Sequence, residues 1–470
     1  MDRIALSRLA EWAGGELTGG DATALVGPDV ATDSRGLSPG AVFVAVPGER
    51  VDGHDYVAAA GASGAGAALV SRRMDADLPQ VVVADTVAGL SDLARNVVAD
   101  ARARGLVVVG VTGSSGKTST KDLIAQVLAP AGPTVAPVGS FNNEIGAPLT
   151  ACRVDAATRF LVTEMGARGL GHVAWLCGIT PPTIGAVLNV GRAHLGEFGS
   201  QDVIAQAKGE LVEALDADGW AVLNADDPRV AAMASRTPAR IALFSAADEP
   251  QGDADLRVWA SGVAPDALQR YSFVLHTDGA QAPVSLRVLG EHSVSTALAA
   301  ATVGLCAGLS LDAVAASLSE ATNRSKWRMQ LDQRADGLAV LNDAYNANPD
   351  SMAAALASVV QLRRPGGRVV AVLGDMLELG EGAAQAHRDV GRLAADAGVD
   401  ELLAVGEFGP DLAAGFAPCG RPARYLSGKS EAAAALAGRV GANDVVLVKA
   451  SRGVGLETIA DELLKEGADR

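Results

Sequence analysis

Val107-Val-Val-Gly-Val-Thr-Gly-Ser-Ser-Gly-Lys-Thr-Ser-Thr-Lys121 decides how the chain folds. The run Val107–Val111, β-branched and broken once by glycine, predicts a strand buried on both faces. The turn 112–118 follows, and then the start of a helix. Gly113 and Gly116 allow positive φ and a close approach of backbone N–H groups to an anion. The helix points its positive end at the same place. Lys117 is suited to the β- and γ-phosphates of a nucleotide, and the Thr118 hydroxyl to Mg²⁺. The stretch Gly113, Ser114, Ser115, Gly116, Lys117, Thr118 and Ser119 is therefore expected to hold ATP. The commoner phosphate loop has a glycine where Val111 stands, and Gly110 comes one residue early. The plain alternative is a glycine-rich strand–helix turn with no ligand.

Composition narrows the rest. A chain of 470 residues predicts two to four domains with ample core. Thirty-nine basic against 55 acidic residues give a net charge of −16 and no basic tract, which argues against nucleic acid. Cys152, Cys177, Cys306 and Cys419 are scattered without a Cys-x-x-Cys pair, which fits a reduced, cytoplasmic protein without a structural zinc. The opening residues lack signal-peptide architecture. The longest apolar run, 296–309, is too short to span a bilayer and reads as a buried helix.

Three α/β domains are expected. The first, 1–104, has a helix over Ile4–Trp12, strands at Ala41–Val46, Ala67–Val70 and Val81–Val83, and an amphipathic helix over Thr86–Arg104. The second, 105–325, alternates strands with helices, which argues a mostly parallel sheet covered on both faces. Its strands are Val107–Val111, Phe160–Thr163, Thr183–Asn189, Ala221–Asn224 and Ile241–Phe244. Leu256–Ala260, Tyr271–His276 and Val284–Leu289 break the rhythm as a short antiparallel appendage. The third, 326–470, has hydrophobic strands at Val369–Gly374, Leu402–Gly406 and Val445–Lys449 and reads as a small doubly wound, Rossmann-like unit.

Several polar positions sit where open α/β sheets place ligands, at strand ends. Glu164 follows Phe-Leu-Val-Thr; His194 follows the strand ending at Asn189; Lys208 lies on a helix after Ser200. A carboxylate beside a phosphate loop suits Mg²⁺, which prefers oxygen ligands. Each has an ordinary alternative: a cap, a satisfied loop histidine, a solvated helix lysine. Asn142-Asn143 reads as a ligand turn or a helix N-cap. Asp343 and Asn346, after the Leu338–Leu341 strand, read as a ligand turn or an Asx-rich turn. In the first domain Ser34 and Arg35 suit a phosphate. In the loop 47–56, which includes Gly48, His54 and Tyr56 suit a base; ordinary turn residues are the alternative.

Taken together these motifs resemble the Mur ligases, the ATP-dependent amide-forming enzymes of peptidoglycan precursor synthesis. The resemblance rests on Thr-Gly-Ser-Ser-Gly-Lys-Thr-Ser at 112–119, Asn-Asn-Glu-Ile-Gly at 142–146, Glu-Met-Gly-Ala at 164–167, Ala-His-Leu at 193–195 and Ala-Lys-Gly-Glu at 207–210. It continues with Leu-Asn-Ala-Asp-Asp-Pro at 223–228, Gly-Glu-His at 290–292, Asp-Ala-Tyr-Asn-Ala-Asn-Pro at 343–349, Leu-Gly-Asp-Met-Leu-Glu-Leu-Gly at 373–380 and Val-Lys-Ala-Ser-Arg at 448–452. It covers all three domains in order.

The resemblance implies a cytoplasmic, monomeric carbon–nitrogen ligase serving cell-wall synthesis, cell shape and division. It implies that D-alanyl-D-alanine is joined to UDP-N-acetylmuramoyl-tripeptide through an acyl phosphate. The first domain would hold the UDP end near Ser34, Arg35, Gly48 and His54, the second MgATP, and the third the dipeptide. It implies that Lys117 neutralises the transferring phosphate, that Thr118 and Glu164 hold one Mg²⁺, and that His194 and a carbamylated Lys208 hold a second. It further implies that Arg328 contacts the γ-phosphate, that His292, Asp343 and Asn346 contact the nucleotide, and that Asn142, Asn143, Lys449, Ser451 and Arg452 contact substrates. Four departures stand out. Ser293 and Thr296 replace two asparagines, Trp327 precedes Arg328 in place of glycine, Arg168-Gly-Leu-Gly-His172 replaces an Asn-His-x-Gly-Glu form, and Ala450 replaces a glycine. Sister enzymes adding diaminopimelate or lysine, a folylpolyglutamate-type synthetase, and a non-catalytic nucleotide-binding module are the alternatives. The third residue of the tripeptide stays open between diaminopimelate and lysine.

Overall fold

The computed structural model describes residues 1–48, 51–191 and 195–465, without the side chains of Leu195 and Glu197. The central sheet has nine strands. In spatial order they are Ala280–Leu289, Arg270–Thr277, Leu256–Pro265, Arg240–Ser245, Trp220–Asn224, Ile184–Val187, Val107–Thr112, Phe160–Glu164 and Thr134–Val135. The seven from Leu256–Pro265 to Thr134–Val135 run parallel. Val108, Val109 and Val111 are fully buried, as a strand covered on both faces requires. The register sets Glu164 opposite Val111, and Val187 opposite Thr112. Three strand ends therefore open side by side, where the chain order departs in both directions from Val107–Thr112; that crevice is where such sheets bind ligands.

The glycine inside the valine run has a packing reason. A Cβ on Gly110 would lie 2.8 Å from Leu211 Cδ1 and 3.1 Å from Met165 Cε. Its absence lets the helix Gln201–Glu213, which carries Lys208, lie close against the sheet. On the opposite face the helices Lys117–Leu128 and His292–Cys306 share one core with the sheet. The apolar run expected to be a buried helix lies mostly in the second of these.

The expected antiparallel appendage is present, and it continues the central sheet as its margin. Leu256–Pro265 pairs in parallel with Arg240–Ser245, and Arg270–Thr277 and Ala280–Leu289 add to it by hairpin connections. Alternation of buried and exposed positions along Ala280–Leu289 shows one face on the core and one in solvent, the pattern of a sheet margin.

The first sheet orders Glu16–Thr18, Gln80–Val82, Ala67–Val70, Val42–Val44 and Val30–Ala31, parallel but for its first pair. The helix Thr86–Ala103 covers it with Leu90, Leu93, Ala94 and Val98, capped by Asp85, whose Oδ1 accepts the Val87 and Ala88 N–H groups at 2.8 Å. The first helix begins at Leu6, because Ile4–Ala5 pairs with Leu25–Val26. This core is continuous with Val108 and Leu161 of the central sheet.

The third sheet orders Gln330–Gln333, Ala339–Asn342, Val445–Lys449, Val369–Gly374, Glu401–Val405 and Ala423–Leu426. It is parallel except for the first pair. Both edge strands lack the apolar pattern that marks the inner ones. No described helix is long and apolar enough to cross a membrane.

Candidate active site

The strand Val107–Thr112 delivers its chain into a loop fixed from two sides. Thr112 Oγ1 donates to the Met165 carbonyl at 2.9 Å. Ser114 and Ser115 N–H groups donate to Asn189 Oδ1 at 2.9 and 3.0 Å, and Gly191 N–H donates to Ser114 Oγ at 2.9 Å. Gly116 caps the helix Lys117–Leu128 with φ +79°, a conformation that favours glycine. Lys117 Nζ folds back onto the Gly113 carbonyl at 2.7 Å. Burial pushes its pKa down; Glu164 opposes that shift and Arg328 adds to it. An ammonium held in low dielectric beside free helix N–H groups is an anion site.

Glu164, at the end of its strand and 2 % exposed, accepts from Thr118 Oγ1 at 3.0 Å and from Asn142 Nδ2 at 2.8 Å. The hydroxyl and the carboxylate are thus adjacent oxygen donors at the phosphate loop, a set that fits a hard divalent cation sharing phosphate oxygens. Among the described residues no three His, Cys, Asp or Glu side chains converge. Lys208 is buried beside them and lines the same 340 Å³ cavity as Lys117, Thr118, Asn142, Asn143 and Glu164. Burial, reinforced by Lys117, holds its amine well below the ordinary lysine range. His194 lies outside the described residues.

The third unit closes the cavity. Arg328 Nη2 donates to Thr118 Oγ1 at 3.1 Å, its guanidinium lies 4.2 Å from the Tyr345 ring centre, and its Nε is buried without a hydrogen-bond partner among the described residues. The residues on either side are held left-handed, Trp327 at φ +58° and Met329 at φ +45°. Such backbone costs about 1–3 kcal/mol per residue and persists where the surroundings impose it. Here Met329 N–H is fixed by Asp343 Oδ1 at 3.0 Å, Trp327 N–H by Gln330 Oε1 at 3.2 Å, and the Trp327 ring lies 4.3 Å beneath Arg452.

Asp343 and Lys449 form a buried ion pair, and Lys449 Nζ also donates to the Asn346 carbonyl at 2.9 Å. Burial pushes the Lys449 pKa down and Asp343 raises it. Asn346, Ser451 and Arg452 line the main cavity. Ser451 Oγ accepts the Leu377 N–H at 3.0 Å, and Arg452 is paired with Glu457. An adjoining 230 Å³ cavity is lined by Ser115, Gly116, Ser119, His292, Thr296, Asp343 and Lys449. Burial lowers the His292 pKa, with Asp343 opposing. Ser293 Oγ donates to the Leu289 carbonyl at 2.6 Å and Thr296 Oγ1 to the Ser293 carbonyl at 3.0 Å, so the two substituted positions turn onto their own backbone.

The first-domain residues stand apart from this cluster and from one another. Arg35 is held by Asp33 through two bonds of 2.9 and 2.7 Å, at the edge of a 450 Å³ depression that also includes Ser38, Phe141 and Arg153. Ser34 does not line it. His54 is buried, with Nδ1 against Asp52 at 2.6 Å and Nε2 accepting the Ser71 N–H at 2.9 Å; both ring nitrogens are committed inside the protein. Gly48 N–H donates to the Val51 carbonyl at 2.9 Å within its turn.

Three contributors escaped sequence reasoning. Tyr345 carries Arg328 and bonds Ser140; the signal was an aromatic ring inside an otherwise polar turn. Glu210, two residues beyond Lys208, accepts from Gly171 N–H at 2.6 Å and Ala174 N–H at 3.0 Å, tying the helix His172–Ile179 to the helix that carries Lys208. Gly196 meets Gly380 backbone to backbone: a Cβ on Gly196 would lie 2.9 Å from Gly380 N and 3.0 Å from its Cα. Only the glycine itself hinted at that contact.

Three family models match in sequence order: the Mur ligase family catalytic domain over residues 29–112, the Mur ligase middle domain over 111–304, and the Mur ligase glutamate ligase domain over 327–452. The UDP-N-acetylmuramoyl-tripeptide–D-alanyl-D-alanine ligase of Mycobacterium tuberculosis is 44% identical, over 99% of this chain and 98% of that one. The Escherichia coli protein of the same name is 39% identical over 87% of each. Among solved structures, MurF from Acinetobacter baumannii superposes with a TM-score of 0.87 at 31% identity, covering 99% of both chains. The Thermotoga maritima MurF ligase in complex with ADP gives 0.78 at 27% identity, covering 94% of this chain and 98% of that one.

Proposed function

The chain belongs to the Mur ligase family, and from that premise we infer that its cavity joins D-alanyl-D-alanine to UDP-N-acetylmuramoyl-tripeptide. The reaction is carbon–nitrogen ligation driven by ATP, and its product serves peptidoglycan synthesis. The observation that carries the reading at residue level is the meeting of Lys117, the Thr118–Glu164 pair and Arg328 at one cavity mouth.

In that reading an oxygen of the tripeptide carboxylate attacks the γ-phosphorus of ATP and ADP leaves. The dipeptide amine then attacks the acyl phosphate carbon, and phosphate departs. Both partners of the first step are anionic, so charge neutralisation and alignment dominate the barrier. Lys117 and Arg328 supply fixed positive charge, and the backbone N–H groups of the 113–118 loop orient the phosphates. Thr118 and Glu164 would hold one Mg²⁺, which would supply charge neutralisation at the phosphates. Lys208 is suited to carbamylation, because burial beside Lys117 disfavours its ammonium, and the uncharged amine is the form that adds CO₂. With His194 it would then hold a second ion. His292, Asp343 and Asn346 are assigned to the nucleotide. Asn142, Asn143, Ser451 and Arg452 are assigned to the two substrates, with Lys449 acting through Asp343. Residues 1–104, with Arg35 at the 450 Å³ depression, are assigned to the UDP end, 105–325 to ATP, and 326–470 to the dipeptide. A UDP-linked substrate and ATP support a cytoplasmic setting.

The test is ADP release with UDP-N-acetylmuramoyl-tripeptide and, in turn, D-alanyl-D-alanine, diaminopimelate, lysine or glutamate. Release driven by the dipeptide is expected; release driven only by another acceptor refutes the reading. Lys117→Ala is expected to abolish turnover, and so is Lys208→Ala, without rescue by bicarbonate. Labelled bicarbonate should give a carbamate carbon resonance in the wild type that Lys208→Ala lacks. Near-normal turnover in Lys208→Ala would remove the carbamate role and leave the ligase assignment standing.

A further inference from the structure

The segment 168–172, where the sequence departs from its family's form, lies in the main cavity with chemistry the reaction steps above do not use. Arg168 is exposed there and makes no ion pair among the described residues. Its backbone N–H donates to His172 Nδ1 at 3.2 Å, which assigns the proton of the neutral ring to Nε2. That Nε2 is buried and has no hydrogen-bond partner among the described residues, although Glu144 Oε1 lies 3.3 Å away. A buried donor left unmatched is costly unless a ligand supplies the acceptor. The position is firmly built, because Glu210 ties the start of the His172–Ile179 helix to the helix of Lys208. A guanidinium and an imidazole thus stand together in the cavity that holds the phosphate loop, with the Glu144 carboxylate beside the imidazole.

We propose that Arg168, His172 and Glu144 recognise the side-chain end of the tripeptide's third residue, and that they select an end bearing both a carboxylate and an ammonium on one carbon. This rests on the ligase reading, which puts the main-chain carboxylate of that residue at Lys117. Its side chain then extends within the same cavity. Diaminopimelate ends in such a zwitterionic centre. Its carboxylate takes Arg168 and the His172 Nε2 proton, and its ammonium takes Glu144. Lysine ends in an ammonium alone, leaving the His172 donor unmatched and setting like charge near Arg168.

The test compares kcat/KM for UDP-N-acetylmuramoyl-tripeptides ending in meso-diaminopimelate and in L-lysine, each with D-alanyl-D-alanine and ATP. One charge-assisted contact predicts a preference of about tenfold or more for diaminopimelate. Arg168→Ala and His172→Phe should each bring the ratio toward one, chiefly through KM, and Arg168→Lys should restore part of it. A wild-type ratio near or below one, or a ratio unmoved in both variants, overturns the proposal. A wild type that turns over neither tripeptide overturns the ligase reading instead.

Discussion

Arg328 is the residue whose removal tests the architecture most directly. Its side chain spans two units of the protein: Nη2 donates to Thr118 Oγ1 in the 112–118 loop, the guanidinium face rests on Tyr345, and Nε is buried without a hydrogen-bond partner among the described residues. A donor kept unmatched in a dry site is preorganised for charge that appears only when ligand is bound. Removing one such donor from a catalytic site costs about 2.7–4 kcal/mol of transition-state stabilisation. At about 1.36 kcal/mol per decade, Arg328→Ala should lower kcat by about a hundred- to a thousandfold. The lost ring contact adds about 0.5–2 kcal/mol of destabilisation, too little to unfold a domain. The assay is steady-state ADP release under saturating ATP, tripeptide and dipeptide, with ADP binding measured separately by calorimetry. The expected result is a large fall in kcat with ADP binding weakened by less than tenfold. Arg328→Lys should recover only part, since an ammonium lacks the planar fork that bonds Thr118 while lying on Tyr345. A kcat within threefold of wild type in Arg328→Ala would refute the reasoning, because Nε would then face no developing charge.

Two further outcomes follow from burial. Asp343→Ala leaves the Lys449 ammonium buried without its carboxylate and frees the Met329 N–H; unfolding should become easier by about 3–5 kcal/mol, read as a lower urea midpoint, whereas the double change Asp343→Leu with Lys449→Met should recover most of it. An unchanged midpoint in the single variant would contradict the pairing. Thiol titration of the native protein near pH 8 should consume one equivalent rapidly. Burial pushes Cys152 and Cys177 up to about 12 and raises Cys306 as well, whereas Cys419 is exposed; its slight desolvation is outweighed by Arg421, whose Nε donates to Sγ at 3.3 Å and lowers its pKa. Denatured protein should consume four, and rapid loss of more than one in the native state would contradict the assigned burial.

The inner strands were legible because their residues announce burial: Val107–Thr112, Val369–Gly374 and Val445–Lys449 are apolar up to their last residue. Gln330–Gln333 and Ala423–Leu426 carry no such mark, since an edge strand is held by backbone bonds and one neighbour rather than by an apolar face. At 256–289 local pattern identifies the antiparallel strands but says nothing about which sheet receives them. At the site, Lys117, Thr118 and Glu164 stood out by motif and strand position, and the structure brings all three to one cavity. His54 could not be read, because a histidine that closes a turn and one that meets a ligand look alike until Asp52 and Ser71 are seen around it. Tyr345 and Glu210 act through partners far away in sequence, and nothing local encodes such a partnership.

The meeting of Gly196 with Gly380 has a mechanical consequence. Side chains are compliant; they change rotamer and absorb a misfit of an ångström. Main chain against main chain has no such give, so this contact acts as a hard stop that fixes how far the third unit can advance on the central one. Two glycines bring no side-chain area of their own to such a stop, so it adds little adhesion. The pose is thus defined sharply at one point, while contacts such as Arg328 to Thr118 and Tyr345 to Ser140 supply grip elsewhere.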